Sequence, residues 1–360
     1  MKVVITAGGT GGHIYPALAI LDKIKEKEPD SEFLYIGTHN RMEKDIVPKH
    51  GIRYEAIKIY GFNKSLNRLK EDIEDIYLIP AAINRCKKLL KDFKPDVVIG
   101  VGGYVTYPVI TAAHSLKIPT FIHEQNSIPG KSNLALQKKV DLVGVSFDDS
   151  KKYFTKTKCV VTGNPCATNA LNIPVRSKTE YGVKKDSKTV LIVNGSLGSK
   201  TINDKMIPYL KSVKNEKYEV IYVTGKNYYE EYVKNKFPDN VHVEPFIDNL
   251  SGLMKDVDVI VTRSGASTVS EIEAIKLPAI FIPSPYVANN HQYYNALSIL
   301  NAKAGLMLEE KDFNEIRLND MVKAIIEDDN TIKLFKENLG KLAHLDSSDI
   351  IYDNLKKITK

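Results

Sequence analysis

Short apolar runs alternate with segments of helical period along most of this 360-residue chain. In the first half the runs Val3–Thr6, Phe33–Ile36, Val97–Gly100, Thr120–His123, Leu142–Val145 and Val160–Thr162 have the length of buried strands. The stretches between them repeat apolar residues at helical spacing, as βαβ units around a parallel sheet do. The rhythm breaks at GNPCATNALNIPVRS, 163–177, rich in proline, asparagine and small residues, which reads as a linker. It restarts with Thr189–Val193, Tyr218–Thr224, Val241–Pro245, Val257–Thr262 and Ala279–Ile282, and turns mainly helical from about Leu318. The pattern predicts an α/β chain of two doubly wound domains, 1–163 and 178–340, joined by a hinge over 164–177. A helical segment, 341–360, can return to the N-terminal domain. In such sheets the sites lie beyond the carboxyl ends of the strands.

Composition narrows the classes. Cys86, Cys159 and Cys166 are too few and too scattered for a disulfide framework or a zinc site, so a reducing cytoplasm is expected. MKVVITAGG reads as a short strand running into glycines rather than a signal peptide. No stretch approaches the roughly 18 apolar residues that span a bilayer. Residues 1–165 hold 25 basic against 18 acidic side chains, so the whole +7 formal charge belongs to the N-terminal half. That asymmetry suits an anionic partner such as a membrane surface, a nucleic acid or phosphate, beside the plainer reading of a lysine-rich solvated face.

Chemistry gathers just after the predicted strands. TAGGTGGHIYPALA, 6–19, places four glycines before a helix that opens near His13. The spacing is GGTGG rather than GxGxxG, and the second strand runs FLYIGTHN with no acidic residue at its tip, so a dinucleotide site is disfavoured. Glycines there still let backbone approach a ligand at a helix N-terminus. At such a terminus His13 is expected to stay neutral and able to accept a proton, though a lone histidine also serves as a cap. VGGYVTYP, 101–108, is a second glycine turn, and HEQNSIPGKSN, 123–133, crowds five polar side chains into one loop. In the second domain NGSLGS, 194–199, offers a cradle for a diphosphate but lacks the Lys-Ser/Thr ending of an NTPase loop. TRSGASTVSEIEA, 262–274, supplies Ser264, Ser267 and Thr268, with Glu271 one turn into a helix. ANNHQYYNA, 288–296, sets His291, Gln292 and Asn295 at another helix start. Neither HExxH spacing nor a carboxylate pair for a metal is present.

Taken together and in order, AGGTGGHIYPALA, GGY (102–104), HEQN (123–126), PG (129–130), TGNP (162–165), SGAST with its following glutamate (264–271) and HQ with NA (291–296) resemble the MurG family of peptidoglycan N-acetylglucosaminyltransferases. The likeness runs through essentially the whole chain. It implies the GT-B fold of family 28 glycosyltransferases, two Rossmann-like domains with a cleft between them. It implies transfer of N-acetylglucosamine from UDP-GlcNAc to the 4-hydroxyl of undecaprenyl-diphosphate-linked MurNAc-pentapeptide, giving a β-1,4 link in peptidoglycan precursor synthesis, with neither metal nor cofactor. Carried over by position, His13 or Glu124 is the general base. The acceptor residues are Thr10, Gly11, Gly12, Tyr104, Asn126 and Asn133. Ser196, Ser264, Ala266, Ser267, Glu271, His291 and Gln292 fall on the UDP-sugar. The implied partners are the donor, the lipid-linked acceptor and an anionic inner leaflet, without nucleic acid, at the cytoplasmic face of the membrane.

Two places depart from the family pattern. GGSQG reads NGSLG here, with Asn194 and Leu197, and TGNPVR reads TGNPCAT, with Cys166 and Ala167. Segment 66–94 mixes Ile73, Ile76, Leu78 and Ile79 with Arg85, Lys87, Lys88 and Lys91, as either a membrane-facing patch with a basic rim or an ordinary amphipathic helix on the sheet. Three rival readings stay open: a relative with another acceptor, a UDP-GlcNAc 2-epimerase on the same architecture, and a non-catalytic UDP-sugar binder.

Overall fold

The computed structural model describes residues 1–60, 69–195 and 198–360, without the side chains of 69–77. The chain divides into two compact units, Met1–Cys166 with Asp346–Lys360, and Ala167–Leu345.

Among the described residues the first unit holds β1 (Lys2–Thr6), β2 (Glu32–Thr38), β3 (Arg53–Ile57), β4 (Val97–Gly100), β5 (Thr120–Glu124), β6 (Leu142–Val145) and β7 (Cys159–Val161). They form one parallel sheet in the order β3-β2-β1-β4-β5-β6-β7. Helices cover both faces of such a sheet, so its central strands are apolar throughout rather than alternating. β4 is VVIG and buried at every position. β3 was not among the expected strands. Its sequence, RYEAI, lies at the sheet edge, and only Ile57 is fully buried. The second unit holds β8 (Lys188–Val193), β9 (Tyr218–Val223), β10 (Val241–Glu244), β11 (Val259–Thr262), β12 (Ala279–Phe281) and β13 (Leu306–Met307), parallel in the order β10-β9-β8-β11-β12-β13.

Each order reverses once. Chain direction across the sheet switches between β1 and β4 in the first unit and between β8 and β11 in the second. Helices that follow the two strands at such a point leave toward opposite faces and open a crevice at the carboxyl edge. The glycine loops 7–10 and 101–105 flank the first crevice, and residues 194–195 and 263–265 flank the second.

The segment expected as a linker is not free chain. Pro165–Asn172 is a helix, and the boundary between the units falls inside it. Its proline suits a first helical position, where no N–H is needed. Asn164 Oδ1 accepts the Cys166 N–H at 3.1 Å.

The last helix, Ser347–Ile358, belongs to the first unit and packs on the helix Gly11–Lys27. Ile351 and Leu355 are fully buried in one cluster with Leu21 and Ile24. Glu28 gathers the polar rim, accepting from the Met1 ammonium at 3.0 Å and from Tyr352 and Lys356 at 2.8 Å each. The Lys356 bond leads in holding its carboxyl down at about 2. Truncating Leu355 to Ala removes a filled core position and is expected to cost about 2–5 kcal/mol. Urea unfolding followed in the first unit checks this, and a cost below about 1 kcal/mol would mean that the helix is not docked as described.

Candidate functional site

In the first unit the loops after β1 and β4 touch backbone to backbone. Gly8 N–H donates to Gly102 O at 3.2 Å, and a Cβ on Gly103, whose φ is +86°, would strike the Gly8 carbonyl. Tyr35, fully buried on β2, donates its hydroxyl to Ala7 O at 3.0 Å. Thr10 then caps the helix Gly11–Lys27 in extended conformation without a side-chain bond, and no acidic residue lies in the first turn. The N–H groups of that turn are therefore free of a competing anion. His13, half-buried, sets Nδ1 3.0 Å from Gly8 O. A carbonyl only accepts, so Nδ1 carries a proton, and in the neutral tautomer that this selects the lone pair is on Nε2. A Cβ on Gly102 would lie 2.9 Å from that Nε2, so the glycine leaves this approach open. Tyr104 follows the second glycine turn, its hydroxyl 3.4 Å from Arg41 Nε.

The loop after β5 is organised by Glu124. Its Oε1 accepts Asn126 N–H at 3.0 Å and Asn126 Nδ2 at 3.2 Å, and its Oε2 accepts Gly130 N–H and Asn133 Nδ2 at 2.9 Å each. A carboxylate offers about four acceptor positions. All are occupied by N–H donors, so the Glu124 carboxylate holds the loop together. Asn133 spends its amide on His123 O and Glu124 while its buried Oδ1 has no partner. His123 is fully buried. It meets Gly163 O at 2.9 Å through Nε2 and the Gln125 amide at 3.0 Å through Nδ1, and desolvation pushes it down to about 4. It is a neutral structural histidine.

Sequence reading missed the acid at β2. Glu43 is fully buried five residues beyond the strand and reaches back to it. It accepts Thr38 N–H at 3.1 Å, Thr38 Oγ1 at 2.6 Å and Gly9 N–H at 3.2 Å. The available signal was an acidic residue shortly after a strand adjoining the switch point.

In the second unit Gly265 opens the helix Ala266–Ile275, with Ala266 buried and the Ser267 hydroxyl buried without a partner. Beside it, across the β8–β11 pairing, Asn194 is buried with neither amide atom bonded. Ser264 donates its hydroxyl to Gln292 O at 2.7 Å, and Asn295 Nδ2 donates to Ser264 O at 3.1 Å, which binds the helix His291–Asn301 to the end of β11. Gln292 Oε1 accepts Ser284 N–H at 2.8 Å, and His291 Nδ1 lies 2.8 Å from Ala288 O. The β11 edge thus brings Ser264, Ala266, Ser267, Gln292 and His291 onto neighbouring elements. Ser196 and Leu197 lie outside the described residues.

The chain matches the glycosyltransferase family 28 N-terminal domain over residues 3–145 and the family 28 C-terminal domain over 189–348. A Bacillus licheniformis relative, 42% identical over 99% of both chains, is named UDP-N-acetylglucosamine--N-acetylmuramyl-(pentapeptide) pyrophosphoryl-undecaprenol N-acetylglucosamine transferase. A Bacillus pumilus protein of the same name is 41% identical over the full length of both chains. A crystal structure of MurG from Acinetobacter baumannii is similar at TM-score 0.77 and 26% identity over 99% of each chain. A UDP-GlcNAc 2-epimerase from Neisseria meningitidis, 18% identical at TM-score 0.66 over 99% of this chain and 100% of its own, shares the fold.

Two carboxyls of the helix Ala266–Ile275 are displaced upward by burial alone, Glu271 to about 7 and Glu273 to about 8. Their folded values lie above the ordinary 4.5, so folding favours the protonated forms. The stability this contributes is complete below pH 4.5 and lost as pH rises through 7 to 8. Glu273→Gln is neutral throughout and is expected to raise the melting temperature of this unit at pH 8 more than at pH 5. Equal melting shifts at the two pH values in calorimetry would contradict the assignment.

Proposed function

The chain belongs to glycosyltransferase family 28, and from that premise we propose that it transfers N-acetylglucosamine from UDP-GlcNAc to the 4-hydroxyl of undecaprenyl-diphosphate-linked MurNAc-pentapeptide. The anomeric carbon is inverted, and the product is a peptidoglycan precursor. The observation that carries this reading is the likeness, along 99% of both chains, to a relative named for that reaction.

Inversion requires one displacement at the anomeric carbon. The acceptor hydroxyl oxygen attacks, its proton passes to His13 Nε2, and the UDP oxygen leaves with the electron pair of the broken bond. His13 is favoured over Glu124 because its Nε2 holds a free lone pair while Glu124 is filled by four N–H donors. The acceptor lies along Thr10, Gly11, Gly12, Tyr104, Asn126 and Asn133. The first turn of the helix Gly11–Lys27, without a side-chain cap or an acidic residue, and the orphaned Asn133 Oδ1 support that placement. The donor diphosphate lies at the first turn of the helix Ala266–Ile275, where N–H groups and the Ser267 hydroxyl offset its growing charge. Glu271 accepts the ribose hydroxyls, Ser264 and Gln292 brace the donor edge, His291 faces the sugar, and Ser196 serves the diphosphate by resemblance alone.

The lipid-linked acceptor puts the enzyme at a membrane surface, on the cytoplasmic face where UDP-GlcNAc is available. Among the described residues no helix is long and apolar enough to cross a membrane. In the helix Leu69–Phe93, Ala82, Cys86, Leu89 and Leu90 pack into the core, while Arg85, Lys88 and Lys91 are exposed and Lys87 is half-buried. Leu78 and Ile79 are half-buried, and the side chains of Ile73 and Ile76 lie outside the described ones. The basic face supports contact with an anionic leaflet.

His13→Ala is expected to lower acceptor-dependent UDP release by about 10²–10⁴-fold with donor affinity kept. Retained turnover would move the base elsewhere, and wild-type protein that binds UDP-GlcNAc without turnover would overturn the transferase reading. In liposome flotation, binding is expected to grow with anionic lipid and to weaken in the Arg85→Ala, Lys88→Ala, Lys91→Ala protein. Indifference to lipid charge would remove the basic face from the account.

A further inference from the structure

Glu43 and His13 address the two ends of one peptide group. The N–H of Gly9 donates to Glu43 Oε2 at 3.2 Å, and the carbonyl of Gly8, on the other side of the same planar amide, accepts Nδ1–H of His13 at 3.0 Å. We propose that Glu43 is a positioning residue that acts on His13 through the Gly8–Gly9 peptide, a carboxylate–peptide–imidazole relay. The proposal rests on the reading of His13 as the general base.

The physics is that of hydrogen bonds in series. The amide is conjugated from nitrogen to oxygen. An anion accepting at N–H pushes electron density toward the carbonyl oxygen and makes that oxygen a stronger acceptor. Gly8 O therefore holds the Nδ1–H tautomer firmly and leaves Nε2 as the basic nitrogen. When Nε2 takes the acceptor hydroxyl's proton, the positive charge spreads to Nδ1–H and is met by the same polarised carbonyl. No proton moves to Glu43. The carboxylate works at a distance of one peptide, as the aspartate of a serine-protease triad works in direct contact.

The surroundings are built for this link. Every group bonded to Glu43 donates, Thr38 through N–H and Oγ1 and Gly9 through N–H, so the side chain acts as an acceptor throughout. Its burial is complete, which keeps water from competing for Oε2. The glycines are required by the same geometry. A Cβ on Gly8 would sit 2.9 Å from Glu43 Oε1 and 2.9 Å from Val105 Cγ1, and Gly9 holds φ +94°, a conformation L side chains rarely adopt. Tyr35 on Ala7 O and Gly102 O on Gly8 N–H hold the loop independently of Glu43, so replacing the carboxylate leaves the loop anchored.

The test uses the full-length enzyme with UDP-GlcNAc and a short-chain analogue of the lipid-linked acceptor. Glu43→Gln, nearly isosteric and uncharged, is expected to lower kcat by about 10-fold or more, by analogy with the loss on removing the hydrogen-bond partner that orients a metal-binding histidine, with KM for the donor unchanged. In the His13→Ala background the same substitution is expected to cost nothing further. An equal loss in both backgrounds would make Glu43 a structural brace and overturn the relay. Independently, imidazole 15N shifts of the wild-type protein are expected to show His13 protonated on Nδ1, with the Nε2–H tautomer gaining population in Glu43→Gln. A wild-type Nε2–H tautomer overturns the proposal without any variant. Full turnover by His13→Ala would instead refute the base reading, while the tautomer would still report whether Glu43 governs the ring.

Discussion

Where β1 and β4 run side by side and their helices depart to opposite faces, the loops that follow them meet backbone to backbone at Gly8, Gly102 and Gly103. Neighbouring strands lie about 4.8 Å apart, and a side chain at Gly8 or Gly103 would collide with the other loop. Gly8 and Gly102 meet through a main-chain hydrogen bond, and Gly103 lies so close to the Gly8 carbonyl that a Cβ would clash. That contact fixes the tilt of the Gly8–Gly9 peptide. The tilt aims the Gly8 carbonyl at His13 and the Gly9 N–H at Glu43. The tautomer of the candidate base is thus a consequence of how tightly two glycine turns pack at a switch point.

The second unit has the same sheet logic, and it too leaves polar groups unpaired at its carboxyl edge. In the first unit Glu124 by itself collects four donors, while Gln125 Oε1 and Asn133 Oδ1 in the same loop are buried without a partner. At the corresponding edge of the second unit the Asn194 amide and the Ser267 hydroxyl are buried and unbonded. Leaving a buried polar group unpaired costs about 1–3 kcal/mol, and an anion at the start of the helix Ala266–Ile275 would offset that cost. Glu271 and Glu273 add to the tension, since burial holds both carboxyls well above their ordinary value. An edge that carries unspent donors is suited to a ligand that arrives with acceptors, as a nucleoside diphosphate does.

Most of the sheet could be read from sequence because strands buried on both faces must be apolar along their whole length. β3 escaped because an edge strand is free to carry Arg53 and Glu55, which pair with each other in solvent, and β13 because two residues make no pattern. The helix Pro165–Asn172 was hidden by its composition. PCATNALN has a proline and two asparagines that read as loop, although the proline occupies a first turn where it is harmless. Glycine turns and polar loops announced themselves because their chemistry is local. Glu43 did not. Its partner Gly9 is 34 residues away, and the acidic residue sought at the tip of β2 lies five positions past it, folded back against the strand.

Glu124 shows the converse, a residue whose loop is plain in the sequence and whose bonding is not. A carboxylate in a polar loop beside a carboxyl edge resembles a base until its lone pairs are assigned. Once four N–H donors are placed on it, and three donors on Glu43, both acids are committed to holding main chain. Proton transfer needs a lone pair that faces outward. Of the titratable groups named for this loop cluster, His13 keeps one, because Gly8 takes the proton-bearing nitrogen and Gly102 has no side chain to cover the other. The two carboxylates then act in parallel. Glu124 shapes the loop after β5, and Glu43 fixes the Gly8–Gly9 peptide whose carbonyl meets His13, so both carboxylates are spent on geometry.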